Sequence, residues 1–406
     1  MMMRLLGFAL LTLIAAPGAA QSDAPQPEER PTKRVVLPPL TPEQKARGER
    51  FWHFSKVAAD KMKEARFSGE IAIAFSSLDD SEFFTSTAIA QDADGNRRET
   101  GLPWRWASVT KQVIAVLVMQ EVARGTVDLD APVSRYLPRF RSPNASRVTV
   151  RQLLRHQTGL PNPDDTTSEI QGVPSYYTPG FVGSKDPLTG YCAGPVKGEP
   201  GGAWSYNNCD YIIAGALLEA VTGESWQSAL DLRKRRKFLK SDPKFWDQPL
   251  LGIAPLSDAQ PVPDPWPGHV AGAREPASDI ASYGAAGALY GTAFDLVAFD
   301  MHLANGHLLP PEALAELWDG QPELGYLGLG QWAFEAPLKG CPAPVRIIER
   351  RGSIGGVQVR NLILPERHTA IAMFTDSAEF EFGEIWQGAG FSHEMLSLAA
   401  CPQGTP

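Results

Sequence analysis

Ser108 and Lys111 stand three residues apart in the run Ala107-Ser-Val-Thr-Lys111. On a helix that spacing places both side chains on one face, within hydrogen-bond reach. A serine hydroxyl is a weak nucleophile and needs a neighbouring base to take its proton. An amine serves if it is neutral, and burial in apolar surroundings favours that form. The residues that follow, among them Val113, Ile114, Leu117, Val118 and Met119, are apolar almost all round. That pattern predicts a helix inside a core from Ser108 to about Arg124, stopped by Gly125. Ser108 opens this helix, where free N–H groups and the positive dipole end suit a developing oxyanion. Outside so apolar a helix, the same tetrad would read as ordinary surface.

Two further clusters carry chemistry. Trp204-Ser-Tyr-Asn-Asn-Cys209 contains Tyr206 and Asn208 two apart, a phenol for proton transfer and an amide to hold substrate. The plain alternative is a buried tyrosine beside a turn-forming asparagine. Arg350-Arg-Gly-Ser-Ile-Gly-Gly356 lies between two predicted strands. There Gly352 lets the backbone approach a ligand, and the N–H groups of Ser108 and Ser353 form a candidate oxyanion hole. The plain alternative is a glycine-rich turn. Trp204, Trp266 and Trp332 are candidates for an apolar wall, or else for the core.

Positioning these groups falls to elements at both ends of the chain. Thr41-Pro-Glu-Gln44 predicts a helix start, with the helix reaching about residue 65. Strands are expected at 67–75 and 83–90, and Asp94-Gly95 signals a turn. Helical patterns follow at 150–156, 211–221 and 293–303, strands at 345–349, 357–364 and 369–374, and a last helix near 391–400. Residues 160–204 and 241–285 are crowded with Pro and Gly, and read as loops forming a rim or lid. Strands at both termini with helices between them predict an α/β fold: a sheet from the terminal parts, about 42–110 and 286–401, and an inserted mainly helical part, about 111–285. The seam between them is the expected cleft.

Composition narrows the partners. The 406 residues carry a formal net charge of −8, which argues against nucleic acid. The basic run at 233–237 reads as a solvated helix face. Residues 1–20 carry Arg4, an apolar stretch and Gly-Ala-Ala at 18–20. They predict a signal peptide cleaved after Ala20, and a secreted, periplasmic mature protein. The stretch is short for a membrane span, and stable insertion is not expected. Residues 21–41 are a Pro-rich tether. The four cysteines favour disulfides in an exported chain, Cys192–Cys209 and Cys341–Cys401 by their closeness and placement, with four buried thiols as the alternative. The seven histidines show no metal-ligand spacing, so neither zinc nor any other metal is expected.

Taken in order with residues 148–161 (VTVRQLLRHQTGLP at 148–161) and 285–295 (AAGALYGTAFD), these motifs resemble the serine β-lactamase-related family of class C β-lactamases, D-alanyl-D-alanine carboxypeptidases and esterases. The resemblance covers roughly residues 45–400. It implies the β-lactamase/transpeptidase-like fold, with an antiparallel sheet flanked by helices. It also implies acyl transfer through Ser108 with Lys111 and Tyr206 as base and acid, Asn208 holding the substrate amide, and no cofactor. The substrate would be a small molecule or peptide with an amide, β-lactam or ester carbonyl. One departure stands out: the third motif of the family opens with Lys or His, and here the position is Arg350. Arginine cannot relay protons but can grip a carboxylate. Arg350 is therefore expected to clamp a carboxylate-bearing substrate or to tune Tyr206, and carboxypeptidase or esterase activity is favoured over efficient β-lactamase activity. His156 and Asp295 are expected to be structural. The competing reading is a catalytically silent protein that binds or senses cell-wall peptides on the same scaffold.

Overall fold

The computed structural model describes residues 42–76, 84–170, 172–230, 254–255 and 266–401. The signal-peptide, tether and basic-run expectations fall outside them, as does most of 241–265. Six strands make the main sheet: β1 Gly69–Ser76, β2 Phe84–Gln91, β3 Trp332–Ala336, β4 Val345–Ile354, β5 Val357–Leu364 and β6 Thr369–Thr375. Their order is β3-β4-β5-β6-β1-β2, every neighbour antiparallel. This is the α/β architecture expected from the strands at the two ends of the chain.

The period of two along each strand assigns side chains to opposite faces. Ile71 and Ile73 join Leu362, Leu364, Ile371 and Met373 in a core under the first helix, α1 (Pro42–Glu64), and the last, residues 391–400. Ala72, Ala74, Val359 and Ile363 point the other way, into the larger core. Alanines on β1 there let the helix Ala293–Ala304 lie close against β1 and β6. A Thr292–Asp295 capping box starts that helix, so Asp295 has the structural role expected of it.

Helix α2 (Thr110–Ala123) is buried continuously from Thr110 to Glu121, which its sequence, apolar on every face, demands. It packs against α3 (Asn208–Thr222), whose N-cap Asn207 accepts a hydrogen bond from the Cys209 N–H. A small second sheet pairs Pro103–Arg105 with Leu289–Thr292 and ties the entry of α2 to the segment before that helix. Cystines join Cys192 to Cys209 and Cys341 to Cys401, with Cα atoms 5.3 and 5.4 Å apart. The first pins the loop at 160–204 to the start of α3, and buried Tyr176 and Tyr177 pack that loop down. It is therefore a built wall, where sequence suggested a structureless rim.

The third motif also departs from expectation. Residues 350–354 are not a turn: β4 continues through Ile354, and Gly355, at φ 58°, makes the turn to β5. Ion pairing of Arg351 with Glu349 and Glu384 holds the strand extended on its outer face.

Candidate active site

Ser108 lies in the single turn Ala107–Val109 that leads into α2, so Lys111 falls on the first helical turn, one step behind it. Ala107 has φ 47°, a left-handed backbone that costs energy in a residue with a Cβ and turns the chain sharply before Ser108. Ser108 and Tyr206 are half-buried, while Lys111 is wholly buried. The nucleophile is thus partly open to solvent, and the amine lies beneath it.

The three groups meet. Ser108 Oγ is 2.5 Å from Tyr206 Oη and 3.2 Å from Lys111 Nζ. Lys111 Nζ is also 2.7 Å from both Asn208 Oδ1 and the Ala286 carbonyl. Both of these accept only, so they use two N–H bonds. A neutral amine then has one lone pair left, and it faces Ser108. Burial, and after it the Arg350 charge, hold the Lys111 amine well below its ordinary range, while Asp164 pulls it up. Burial raises the Tyr206 phenol, against the pull of Arg350 and the hydrogen bond with Ser108. The directions separate the two partners: the amine loses its proton readily and the phenol keeps its own. Lys111 is therefore equipped to act as base and Tyr206 as acid.

Asn208 sits at the first position of α3 and is oriented by its neighbours. Its Oδ1 lies 3.2 Å from Tyr206 Oη as well as near Lys111. Its Nδ2 donates to Asp164 Oδ1 and Oδ2 at 2.9 and 3.2 Å and approaches Tyr177 Oη at 2.9 Å. The amide hydrogens are engaged, so the expected role of Asn208 as donor to a substrate amide is not open in this arrangement.

Arg350 also differs from one of its two expected roles. It is only 1% exposed, and its Nε donates to the Ser108 carbonyl at 2.9 Å. The guanidinium lies 5.8 Å from the Tyr206 ring and 5.3 Å from the Trp332 ring. A side chain so enclosed does not offer its fork to a substrate carboxylate; its charge acts on the groups around Ser108. Gly352 runs along the same backbone. A Cβ built there would stand 2.7 Å from the Trp106 carbonyl and 3.1 Å from Ser108 N, so only glycine fits. Ser353, next along β4, is exposed. Among the tryptophans, Trp266 is buried and stacks on Trp104 at 4.4 Å, which removes it from any apolar wall.

His156 is buried, 2.9 Å from Asp210 Oδ2 through Nδ1, with its ring 4.8 Å from that of Tyr206. Burial pushes the imidazole well down and the Asp210 carboxyl well up, so both settle toward neutral forms. This pair braces the floor under Tyr206. Sequence reasoning missed Asp164, Tyr177 and Asn162, whose Nδ2 donates to the Tyr206 carbonyl at 3.1 Å. The Pro161-Asn-Pro-Asp164 run was their signal: a turn cluster whose Asn caps the short helical turn Pro163–Asp165. Among the described residues no His, Cys, Asp and Glu group could hold a metal ion, and no helix is long and apolar enough to cross a membrane.

Residues 57–388 match the family model described as Beta-lactamase. The chain is 32% identical to Esterase EstB of Burkholderia gladioli over 54% of its own length and 63% of that relative's, so it spans less than two thirds of it. It is 25% identical to SurE in the crystal structure with D-Leu, covering 88% of this chain and 79% of that one at a TM-score of 0.59. The D-amino acid amidase of Ochrobactrum anthropi SV3, complexed with L-phenylalanine amide, shares 19% identity at a TM-score of 0.62. That match covers 86% of this chain and 97% of that one, a likeness of fold alone.

Proposed function

Because the chain belongs to the beta-lactamase family, we propose that it is an exported serine hydrolase that opens an amide, β-lactam or ester carbonyl through an acyl-enzyme on Ser108. The observation that carries this is the placement of one hydroxyl 2.5 Å from a phenol and 3.2 Å from a buried amine. Ser108 Oγ attacks the carbonyl carbon and its proton passes to Lys111 Nζ. The oxyanion is received by the N–H groups of Ser108 and Ser353. When the tetrahedral species collapses, the leaving group takes the Tyr206 proton, and Lys111 returns its proton to the phenolate it faces. Water then attacks the acyl ester and gives its proton to this pair, which delivers a proton to Ser108 Oγ as the acid departs.

Similarity to an esterase supports ester or amide substrates. Arg350 in place of the Lys or His expected there argues against efficient β-lactam turnover. Export is supported by the character of residues 1–20 and by the two cystines. One experiment tests the whole reading: a fluorescent phosphonate is applied to cells and fractions expressing wild type and Ser108→Ala, beside hydrolysis of nitrocefin, a D-Ala-D-Ala peptide and short nitrophenyl esters. A labelled band in the exported fraction, starting at Gln21 and lost in the variant, is expected. An unlabelled wild type would leave a silent binding protein as the better reading.

A further inference from the structure

The two N–H groups assigned to the oxyanion, those of Ser108 and Ser353, come from distant segments. Ser108 follows the short strand Pro103–Arg105, and Ser353 lies near the end of β4, just before the turn at Gly355 and Gly356. Donors stabilise a developing oxyanion only if they are held in place beforehand, so one segment must be fixed against the other. Arg350 makes one such link, from its Nε to the Ser108 carbonyl at 2.9 Å. A second link lies at the β4–β5 turn, and its centre is Glu275.

Glu275 joins the two segments with its two carboxylate oxygens. Oε1 pairs with the guanidinium of Arg105, three residues before Ser108. Oε2 accepts from the N–H of Gly356 at 2.7 Å, three residues after Ser353. Three residues of extended chain span at most about 10 Å, so each anchor lies close to the donor it holds. Across the turn Ile354 pairs with Val357 and Ser353 with Gln358, so a shift of Gly356 carries Ser353 with it. The approach is tight. A Cβ on Gly355 would collide with Oε2, and one on Gly356 with the His269 backbone nitrogen, so only glycine admits the carboxylate here.

Glu275 is itself anchored to the main sheet. Its N–H donates to the Gly268 carbonyl at 2.8 Å, closing a hairpin in which His269 pairs with Arg274. His269 N donates to the Asp376 carbonyl at 2.8 Å and Ala378 N to the His269 carbonyl at 2.9 Å, which fastens that hairpin just beyond β6. The ion pair is enclosed: the Arg105 side chain is 10% exposed and that of Glu275 9%. Arg105 also cancels the charge that Glu275 would otherwise set against a developing oxyanion.

Resting on the hydrolase reading above, we infer that Glu275 is a positioning residue: by bridging Arg105 and Gly356 it holds the N–H groups of Ser108 and Ser353 at their working separation. It touches no reacting atom. Glutamine in its place has one acceptor oxygen for two donors and turns its NH2 toward one of them, so half of the bridge opens.

The test compares p-nitrophenyl acetate with its thiono analogue, in which sulfur replaces the carbonyl oxygen, in wild type and Glu275→Gln. Phosphonate labelling of Ser108 is run on wild type beside it. Sulfur is a weak acceptor, so the thiono ester draws little on the two N–H groups. Outright loss of one oxyanion donor costs about a hundredfold or more, and a displaced one is expected to cost roughly tenfold in kcat/KM for the oxygen ester. The thiono ester should fall far less, so the preference for oxygen over sulfur should shrink by about the same factor. A merely structural role would lower both esters alike. Folding is followed by circular dichroism, and should Glu275→Gln not fold, Glu275→Asp, one carbon shorter, is read by the same ratio. An unchanged kcat/KM, or equal losses on both esters, overturns the inference. Failure of both variants to fold assigns Glu275 to stability and overturns it too. In each of these cases a labelled, active wild type leaves the hydrolase reading standing. A wild type neither labelled nor active removes both.

Discussion

Replacing Arg350 by glutamine should move the whole pH profile of the enzyme upward. The substitution is chosen on geometry: glutamine Nε2 occupies the place of arginine Nε, so the 2.9 Å hydrogen bond to the Ser108 carbonyl survives while the charge goes. Arg350 lowers both the Lys111 amine and the Tyr206 phenol, so its loss raises both. The guanidinium carbon lies 5.8 Å from the Tyr206 ring. At an effective dielectric constant of roughly 20, that separation gives an interaction of about 3 kcal/mol. Water at the half-buried Tyr206 screens part of this, and what remains sets the upward shift. The acid limb of kcat/KM reports loss of the Lys111 proton, and the alkaline limb loss of the Tyr206 proton. In Arg350→Gln both limbs should move to higher pH, measured on a nitrophenyl ester. Arg350→Lys keeps the charge and should keep the profile near that of wild type. A profile that stays put in Arg350→Gln, or moves to lower pH, would refute the claim that this cation acts by its field. An equal shift in Arg350→Lys would show that shape, not charge, is read.

Gly352→Ala places a methyl against the Trp106 carbonyl and Ser108 N, at 2.7 and 3.1 Å, and neither backbone can yield cheaply. The expected result is a loss of about a hundredfold in kcat, as for a misplaced reacting atom, with the protein still folded by circular dichroism; kcat equal to wild type would separate this glycine from the site. Asp300 lies under α2, bonded through Oδ1 to Gln112 at 2.5 Å and to Asn361 at 3.0 Å, with Oδ2 unpartnered, and burial pushes it up to about 7. A raised folded pKa means the folded state holds the proton more tightly, so that stability is full below the unfolded value near 4. It is lost as pH climbs to about 7, by up to about 4 kcal/mol. Asp300→Asn should remove that slope, so urea midpoints at pH 4.5 and 8 should draw together relative to wild type, and parallel midpoints would contradict a buried carboxyl.

The parts of the molecule legible in the sequence are those governed by local pattern. The interior helix after Ser108 is read from apolar residues on every face, and β5 and the last helix fall on their expected bounds because periodicity persists to their ends. The Tyr206–Asn208 pair is read from type and spacing, and the structure brings both to Ser108. What could not be read depends on pairing between distant segments. Strand β3 was missed because its short stretch, Trp332–Ala336, is defined by register against β4 and not by its own residues. The extension of β4 through Gly352 was missed because glycine there signals a turn until the close approach of the α2 entry is known. The direction of Arg350 and the orientation of Asn208 are set by partners 242 and 44 residues away. No pattern in one sequence carries those separations.

The same distant pairings explain how the site tolerates arginine where a proton-relaying side chain is expected. Lys111 Nζ and Tyr206 Oη both contact the Ser108 hydroxyl, at 3.2 and 2.5 Å, so a proton can pass among these three groups without involving Arg350. A permanent cation is then an asset, because its field adds to burial in holding the amine down before attack. Placed at the surface, that charge would instead spend its field in water. Its burial against the Ser108 carbonyl prevents this. Proton transfer and base tuning therefore fall to two different side chains, the enclosed Lys111 amine and the Arg350 guanidinium buried against the Ser108 carbonyl. The two should be separable by mutation, with Lys111 governing rate and Arg350 the pH at which that rate is reached.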